Sequence, residues 1–350
     1  MTLRALAEKV WERMTKDHAG EWGMDIDQWD WVPGVGVIAT LEYGEAVGRP
    51  EAMSYLERWI ARNKEKAGQA KVINAIAPFA IFPALYRLTG DESYREEAVR
   101  AAEWLVSEAP RTREEAFEHT VTENVAFAEQ VWADTVFMAV LFLARTAAMV
   151  GDEVYAKEAQ RQVLIHLRLL EDTDSGVLFH GWNCGSRDHM SAARWTRANA
   201  WIAAGVPLIL KETEPLIPAP GELRERYARL MEALVRFQQD DGLWSTVMDR
   251  PNYYRETSGS AGIAYGLLKA MDGGLIPYER RFKEAADRAL QAISPFIADD
   301  GTVGGVSGGT PVMESVEAYD RVPIYPTLYG QGLVLMLLAE SIRQEGDERD

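Results

Sequence analysis

The sequence predicts an all-α protein in which about six helical hairpins close into a ring. Three observations lead to this prediction. A hairpin-like frame recurs along the chain, turns of the Asp-x-Gly type alternate with that frame, and no stretch shows the sustained alternation of a β-sheet. No linker or low-complexity segment divides the chain, so we expect one domain over residues 1–350.

The recurring frame indicates a short turn between two helices. Residues 88–105 and 150–167 share the pattern Gly-Asp-Glu-x-Tyr-x-x-Glu-Ala, and weaker copies lie at residues 47–59 and 278–293. In each copy one helix is expected to end at a glycine, and the next helix begins with acidic residues in its first turn. The copies therefore mark one end of successive hairpins.

Turns of the Asp-x-Gly type mark the other end of the hairpins. They begin at Asp174, Asp240 and Asp299, and each leads into a β-prone or glycine-rich loop before the next helix. Repeated hairpins could stack as an open solenoid or close into a toroid. The large aromatic loops all fall at one end, which favours a closed ring with a single functional face.

Composition limits the partners of the protein. Its 350 residues carry a formal net charge of −17, which argues against nucleic acid or an anionic membrane as the partner. The single cysteine, Cys184, excludes an internal disulfide framework. The most apolar run, residues 136–144, is too short to span a bilayer, so we expect a cytoplasmic protein. Eleven tryptophans and thirteen tyrosines fit either large packing surfaces or platforms for sugar rings.

Asp134 is the strongest local anomaly. It is the only charged residue in the apolar stretch 131–144, which the sequence predicts to be a buried helix. Burial raises the pKa of an unpaired carboxyl group, and such a group can serve as a general acid near neutral pH. The alternative is a structural Asp that caps a helix or pairs with an Arg. Gln130 would lie one helical turn earlier and could orient the carboxylate.

A second cluster lies between residues 179 and 201. Arg194, Arg197 and Trp201 are spaced to share one helix face, where two guanidinium groups and an indole would suit an anionic sugar. The alternative is a pair of salt bridges on an acidic protein. His180 and His189 flank Cys184, but their spacing matches no strong zinc pattern, so we expect no metal.

Three further candidates come from the N-terminal half of the chain. Trp31 lies with Trp29 in a tryptophan-rich stretch that could stack on sugars or plug the mouth of the ring. His119 lies in a loop before the Asp134 segment. Asn74 lies at an apolar helix start, where it is either an inward hydrogen-bonding group or a cap.

Several segments in this order resemble glycoside hydrolase families 105 and 88, the unsaturated rhamnogalacturonyl and unsaturated glucuronyl hydrolases. The matching segments are WDWVPGVGV, VINAIAP, ALYRLTGDESY, EQVWADTVFMAVLFLA, LFHGWN, RWTRANAW, SAGIAYGLLKA and YGQGLVLMLLAE. The resemblance implies an (α/α)6 barrel with no metal or organic cofactor. It also implies removal of a terminal 4,5-unsaturated uronic acid from lyase-generated oligosaccharides, most readily of the rhamnogalacturonan or pectin type.

The resemblance also implies a mechanism that differs from ordinary glycoside hydrolysis. An acid protonates C4 of the vinyl ether, water adds at C5, and the hemiketal collapses to release the rest of the oligosaccharide. The family's general acid and base matches Asp134. His180, Arg197, Trp201 and His119 match positions that line the family's substrate site.

Two sequence departures and several alternatives stay open at this stage. Asn74 stands where many family members have a second Asp, which leaves Asp134 as the sole acid, and Ala198 and Ala200 replace common glycines. A barrel hydrolase or epimerase acting on saturated uronides is one alternative, and a non-enzymatic helical-repeat binding protein is another. Monomer and homodimer are both compatible with the sequence.

Overall fold

The computed structural model describes residues 2–16, 18, 20–67, 71–122 and 127–347, and these residues are mainly helical, which confirms the all-α prediction. The α-helices are α1 (Leu3–Met14), α2 (Trp31–Val47), α3 (Pro50–Asn63), α4 (Phe82–Thr89), α5 (Glu92–Ser107), α6 (Leu141–Val150), α7 (Glu153–Leu170), α8 (Thr196–Thr213), α9 (Gly221–Phe237), α10 (Thr257–Asp272), α11 (Arg280–Ile293), α12 (Val316–Tyr319) and α13 (Leu328–Asp347).

Six of these helices form an inner ring. Helices α2, α4, α6, α8, α10 and α13 follow one another around it, and the ring closes because α13 packs against both α10 and α2. A 3-10 segment (Asn74–Ile81) precedes α4 and a π-helical turn (Val136–Val140) precedes α6, so these two helices begin as deep in the ring as the others. Each inner helix packs against an outer helix, namely α1, α3, α5, α7, α9 and α11. The fold is therefore the predicted (α/α)6 barrel.

The recurring frame forms the short turns, as the sequence predicts. Gly90 and Gly151 end α4 and α6 in the left-handed conformation, with φ values of 69° and 70°, where a side chain would be strained. Asp91 and Asp152 then cap α5 and α7 by accepting hydrogen bonds from backbone N–H groups of the first turn. Every inner helix therefore begins at the same end of the ring, the end opposite these turns.

Long loops occupy the end of the ring where the inner helices begin. They carry a two-stranded antiparallel sheet of β1 (Gln130–Trp132) and β2 (Gly181–Asn183), with Trp132 opposite Gly181. The prediction of a continuous helix over residues 131–144 is wrong, because a short apolar run fits a buried strand as well as a helix. Gln130 accordingly does not lie one helical turn from Asp134, and its side chain instead accepts a hydrogen bond from Trp132.

None of the helices in the described ranges is both long and apolar enough to cross a membrane.

Candidate active site

A cleft of about 290 Å³ opens among the long loops, at the end where the inner helices begin. Five of the predicted site residues line it: Trp31, Asn74, His119, Asp134 and Arg197. The other lining residues were not predicted, and they are Val121, Phe127, Trp132, Trp195, Gly309, Thr310 and Pro311. Aromatic rings thus surround a small number of polar groups, which is the usual composition of a ligand site.

Asp134 begins the helical segment that follows β1 after Ala133 and continues through the π-helical turn into α6. Its side chain is almost buried, and within the described protein its Oδ2 atom has no hydrogen-bond partner. Nε2 of His180 lies 3.7 Å from this oxygen. At that distance the contact is electrostatic, since it is longer than a hydrogen bond. Asp134 therefore presents a carboxylate oxygen that is free to bond a ligand.

The pKa of Asp134 lies below that of an ordinary aspartate. Burial by itself raises this pKa, but the favourable contact with His180 and weaker attractions from His119 and Arg197 outweigh the effect of burial. The raised pKa expected for an unpaired carboxyl group therefore does not apply here, because His180 lies beside Asp134. The sequence did not show that His180 would lie beside the carboxylate.

His180 lies beneath the cleft with both ring nitrogens in defined surroundings. It is buried, its Nδ1 atom lies 2.7 Å from the hydroxyl of Tyr319, and its ring packs 4.2 Å from that of Trp195. Burial lowers the pKa of His180 against the opposing attraction of Asp134. The imidazole therefore tends to be neutral and to interact with Asp134 through an N–H group.

His119 and Asn74 add two more unpartnered polar atoms to the cleft. The imidazole of His119 stacks on Trp132 with centroids 3.9 Å apart, and burial lowers its pKa to about 3. Nδ1 of His119 and Oδ1 of Asn74 are buried without hydrogen-bond partners in the part of the chain that the structure describes. An unsatisfied buried polar atom costs about 1–3 kcal/mol. Such atoms at one cleft indicate a ligand-binding role for these side chains.

The guanidinium group of Arg197 was predicted to bind the carboxylate of an anionic sugar, but it is occupied by contacts within the protein. This group is buried between the rings of Trp195 and Tyr329, at 4.4 and 4.5 Å from their centroids. One terminal nitrogen donates to the backbone oxygen of Ser307 at 3.0 Å, and the other donates to that of Gly308 at 2.9 Å. Arg197 therefore holds the loop that continues into the cleft wall at Gly309 and Thr310.

Glu256 balances the charge of Arg197. Its carboxylate is fully buried 3.5 Å from the guanidinium group, and it accepts hydrogen bonds from the backbone N–H groups of Gly259 and Ser307. This residue was not predicted, although it lies four residues before the segment SAGIAYGLLKA, which resembles the family. Because its oxygens are already bonded, Glu256 supports the site from behind and does not reach the cleft.

The predicted common face of Arg194, Arg197 and Trp201 is wrong. Helix α8 begins at Thr196, so Arg194 lies before it and pairs with two aspartates outside the cleft. Trp201 is fully buried, and its ring packs 5.0 Å from that of Phe137 inside the barrel. Trp201 is not among the residues that line the cleft, because side chains one turn into an inner helix point into the core.

Trp29 and Trp31 lie in different surroundings. Trp31 stacks on Tyr329 with centroids 5.2 Å apart and a tilt of 17°, and it forms one wall of the cleft. Trp29 is buried against Trp59, and its indole N–H donates to the backbone oxygen of Ala75. Trp29 is thus a packing residue, whereas Trp31 offers a ring face to a ligand.

Across the described residues, no three His, Cys, Asp or Glu side chains are placed to hold a metal ion together.

The barrel and its aromatic cleft, in which Oδ2 of Asp134 has no hydrogen-bond partner among the described residues, define the protein as a carbohydrate-active enzyme of the (α/α)6 class. The chain belongs to Glycosyl Hydrolase Family 88, whose family model matches residues 6–345. It is therefore a glycoside hydrolase, and the resemblance found in the sequence is confirmed.

Relatives agree with this membership. The chain is 34% identical over 322 residues to the unsaturated rhamnogalacturonyl hydrolase YesR of Bacillus subtilis (strain 168), and the match covers 90% of each chain. A crystal structure of a possible member of the GH105 family from Klebsiella pneumoniae superposes with a TM-score of 0.91 at 30% identity, over 98% of this chain and 93% of that one. The unsaturated glucuronyl hydrolase of Bacillus sp. GL1 shares the fold, with a TM-score of 0.73 at 20% identity over 96% of this chain and 95% of that chain.

Proposed function

We propose that this enzyme removes a terminal 4,5-unsaturated uronic acid from lyase-generated oligosaccharides, with rhamnogalacturonan or pectin fragments as the preferred class. The observation that carries the proposal is the carboxyl group of Asp134 in the cleft. Among the described residues that line it, only Asp134 is acidic. The relative YesR, which matches nearly the full chain, is an unsaturated rhamnogalacturonyl hydrolase, and this favours the same substrate class.

A lone carboxyl group suits hydration of a double bond better than ordinary glycoside hydrolysis. Hydrolysis of a saturated glycoside uses two carboxyl groups about 5–9.5 Å apart, on opposite sides of the anomeric bond. The other nearby acid, Glu256, is fully buried and bonded to Arg197 and backbone N–H groups. Asn74, on the cleft wall, is an amide and cannot exchange a proton in this way.

Hydration needs only one group that gives and then takes a proton. Asp134 would donate its proton to C4 of the vinyl ether, and the positive charge would develop at C5. The resulting carboxylate would accept a proton from the water that attacks C5. The hemiketal then opens, and the hemiacetal formed at C1 expels the rest of the oligosaccharide, leaving a keto-uronate. Asp134 ends the cycle protonated, as it began.

Substrate binding would convert Asp134 to its protonated state by raising the pKa of its carboxyl group. In the free protein the pKa of Asp134 is lowered, so the group is ionised at neutral pH. A uronate carboxylate that enters the cleft brings a second negative charge close to Asp134 and excludes water from it. Both changes raise the pKa of Asp134, so that binding recruits the proton needed at C4.

Local fields favour an anionic sugar despite the net charge of −17. Arg197 lines the cleft, but the buried Glu256 balances most of its charge. The inner helices begin at this end of the barrel, and helix N-termini carry partial positive charge. The rings of Trp31, Trp132 and Trp195 can stack on the apolar faces of the sugar.

The test is the ultraviolet absorbance of the conjugated C4=C5 bond during incubation with lyase-digested rhamnogalacturonan, pectin and glycosaminoglycan oligosaccharides. We expect the absorbance to fall with the wild type and to stay constant with Asp134→Asn. Asp152→Asn is the matched control, because Asp152 caps α7 at the opposite end of the barrel. New reducing ends without loss of absorbance would contradict double-bond hydration and indicate a hydrolase of saturated linkages.

A further inference from the structure

The hydroxyl group of Tyr319 touches the histidine that lies beside Asp134. We propose that Tyr319 is a positioning residue that fixes the tautomer of His180, with the proton on Nε2 facing Asp134. The consequence for catalysis rests on the function proposed above, but the tautomer itself can be tested without substrate.

Hydrogen bonds around Tyr319 determine the direction of its proton. The phenolic oxygen accepts a hydrogen bond from the backbone N–H of Met313 at 3.3 Å, and it lies 2.7 Å from Nδ1 of His180. A phenol has one proton to donate. Met313 is the donor to this oxygen and Nδ1 of His180 is the acceptor at hydrogen-bond distance, so we assign the phenolic proton to the contact with Nδ1 and treat Nδ1 as the unprotonated nitrogen.

The buried setting of Tyr319 keeps this proton in place. Tyr319 is fully buried at the end of α12, and burial raises the pKa of its hydroxyl well above the ordinary value. Ser191 also faces this hydroxyl, but within the described structure its Oγ atom makes no hydrogen bond. His180 therefore provides the acceptor for the phenolic proton.

A neutral imidazole that accepts at Nδ1 carries its proton at Nε2. Nε2 is the atom 3.7 Å from Oδ2 of Asp134. In this tautomer an N–H group faces the carboxylate, which stabilises its ionised form during attack by water. In the other tautomer a lone pair would face the carboxylate, and the two groups would repel each other. The rings of Trp195 and Trp132, at 4.2 and 5.3 Å from the imidazole, restrict its rotation.

Tyr319 also connects this tautomer with the cleft wall. Met313 and α12 belong to the same connection between α11 and α13 that places Gly309 and Thr310 in the cleft. A substrate that contacts this wall would therefore meet a segment that already positions the Asp134–His180 pair. No comparable signal existed in the sequence, because nothing in it links Tyr319 with His180, which lies 139 residues away.

The first experiment measures the tautomer by NMR of 15N-histidine-labelled protein. The chain has five histidines, so the imidazole signals can be separated, and His180→Gln identifies the signal of His180. We expect a protonated Nε2 and an unprotonated Nδ1 for His180 in the wild type. In Tyr319→Phe the 15N chemical shifts of the two imidazole nitrogens should move toward values intermediate between those of the two tautomers. A wild-type His180 that is protonated at Nδ1 would overturn the proposal, whatever the activity.

The second experiment separates positioning from general packing. Because one hydrogen bond between neutral groups is lost, we expect kcat of Tyr319→Phe to fall roughly two- to tenfold with KM nearly unchanged. Tyr227→Phe is the matched control, because its buried hydroxyl donates to the backbone oxygen of Ala203 and lies outside the cleft. Equal kcat values for the two variants would contradict the positioning role. Absence of any absorbance loss with the wild type would contradict the proposed function and leave the NMR result to decide on Tyr319.

Discussion

Buried carboxylates lie at both ends of the inner ring, and their surroundings differ. One end, which we call the closed end, is opposite the cleft and has the short turns. There, Glu42 of α2 accepts a hydrogen bond from Tyr265 at 2.9 Å and pairs with Arg145, while Glu340 of α13 pairs with Lys269. At the other end, which holds the cleft and which we call the open end, Oδ2 of Asp134 has no hydrogen-bond partner among the described residues. Paired buried carboxylates thus lie at both ends, since Glu256 is paired with Arg197 at the open end, and Asp134 differs from them by its unbonded oxygen among the described residues.

This difference indicates which buried acids hold the barrel together and which act on a ligand. A buried charge with all its partners joins neighbouring helices, and removing one partner leaves the other uncompensated. A buried carboxylate that keeps an oxygen without a hydrogen bond can instead bond a substrate. Burial alone therefore does not identify a functional acid.

The largest expected effect is on activity at the open end. Asp134→Asn should lower kcat by about a thousandfold, because a positioned general acid contributes roughly 10²–10⁴ in rate. Its free energy of unfolding should fall only slightly at neutral pH, because the lowered pKa of Asp134 means that the ionised carboxylate is favoured in the folded state while no hydrogen-bonded partner is lost. Initial rates and urea denaturation of the same preparation measure both quantities.

The reverse pattern is expected at the closed end. Glu42→Gln should lower the free energy of unfolding by about 3 kcal/mol, because it leaves Arg145 buried without its ion-pair partner. The value of kcat should remain that of the wild type. A large loss of activity in a folded Glu42→Gln protein would break the proposed separation between the two ends.

Proton uptake should accompany substrate binding at the open end. Because the pKa of Asp134 is lowered in the free protein and rises beside a bound uronate, the complex should take up about one proton near neutral pH. Calorimetry in buffers of different ionisation enthalpy measures this uptake with a non-hydrolysed uronate. Asp134→Asn should show none. In the wild type, kcat should decrease as pH rises through the pKa of Asp134 in the complex.

His166 provides a further comparison, because its Nε2 atom has no hydrogen-bond partner among the described residues although His166 does not line the cleft. Burial lowers its pKa to about 4, so the folded state prefers its neutral form. The stability contributed by this preference is complete above pH about 6.5, the pKa of an ordinary histidine, and is lost as pH falls toward 4. His166→Gln should reduce the loss of thermal stability that occurs as pH falls from about 6.5 toward 4, without changing kcat. An unchanged loss would show that other groups control it.

Sequence periodicity and turn residues were sufficient to predict the barrel but not the geometry of its cleft. The glycine and aspartate frame at residues 90–92 and 151–153 acts locally, so its turns could be read from neighbouring residues. The strand β1 could not, because its partner β2 lies about 50 residues further along the chain and an apolar run suits either structure.

The site was predicted to different degrees for the same reason. Asp134 stood out as a charge in an apolar run, and Asn74 and His119 line the cleft with it. Arg197 was expected to bind substrate directly, yet its terminal nitrogens donate to the Ser307 and Gly308 backbone. The roles of Tyr319 and Glu256 depend on contacts between distant segments, which periodicity does not contain. Hydrogen-bond partners therefore decided what residue type alone left open.

The most direct test of the central claim is a single-turnover experiment with Asp134→Asn in excess over an unsaturated rhamnogalacturonan disaccharide. Binding is followed by tryptophan fluorescence, and the double bond by its ultraviolet absorbance. We expect the variant to bind the disaccharide while the absorbance stays constant. With the wild type, the absorbance should disappear in the single turnover. Loss of absorbance by Asp134→Asn at a rate close to that of the wild type would contradict the assignment of Asp134 as the general acid.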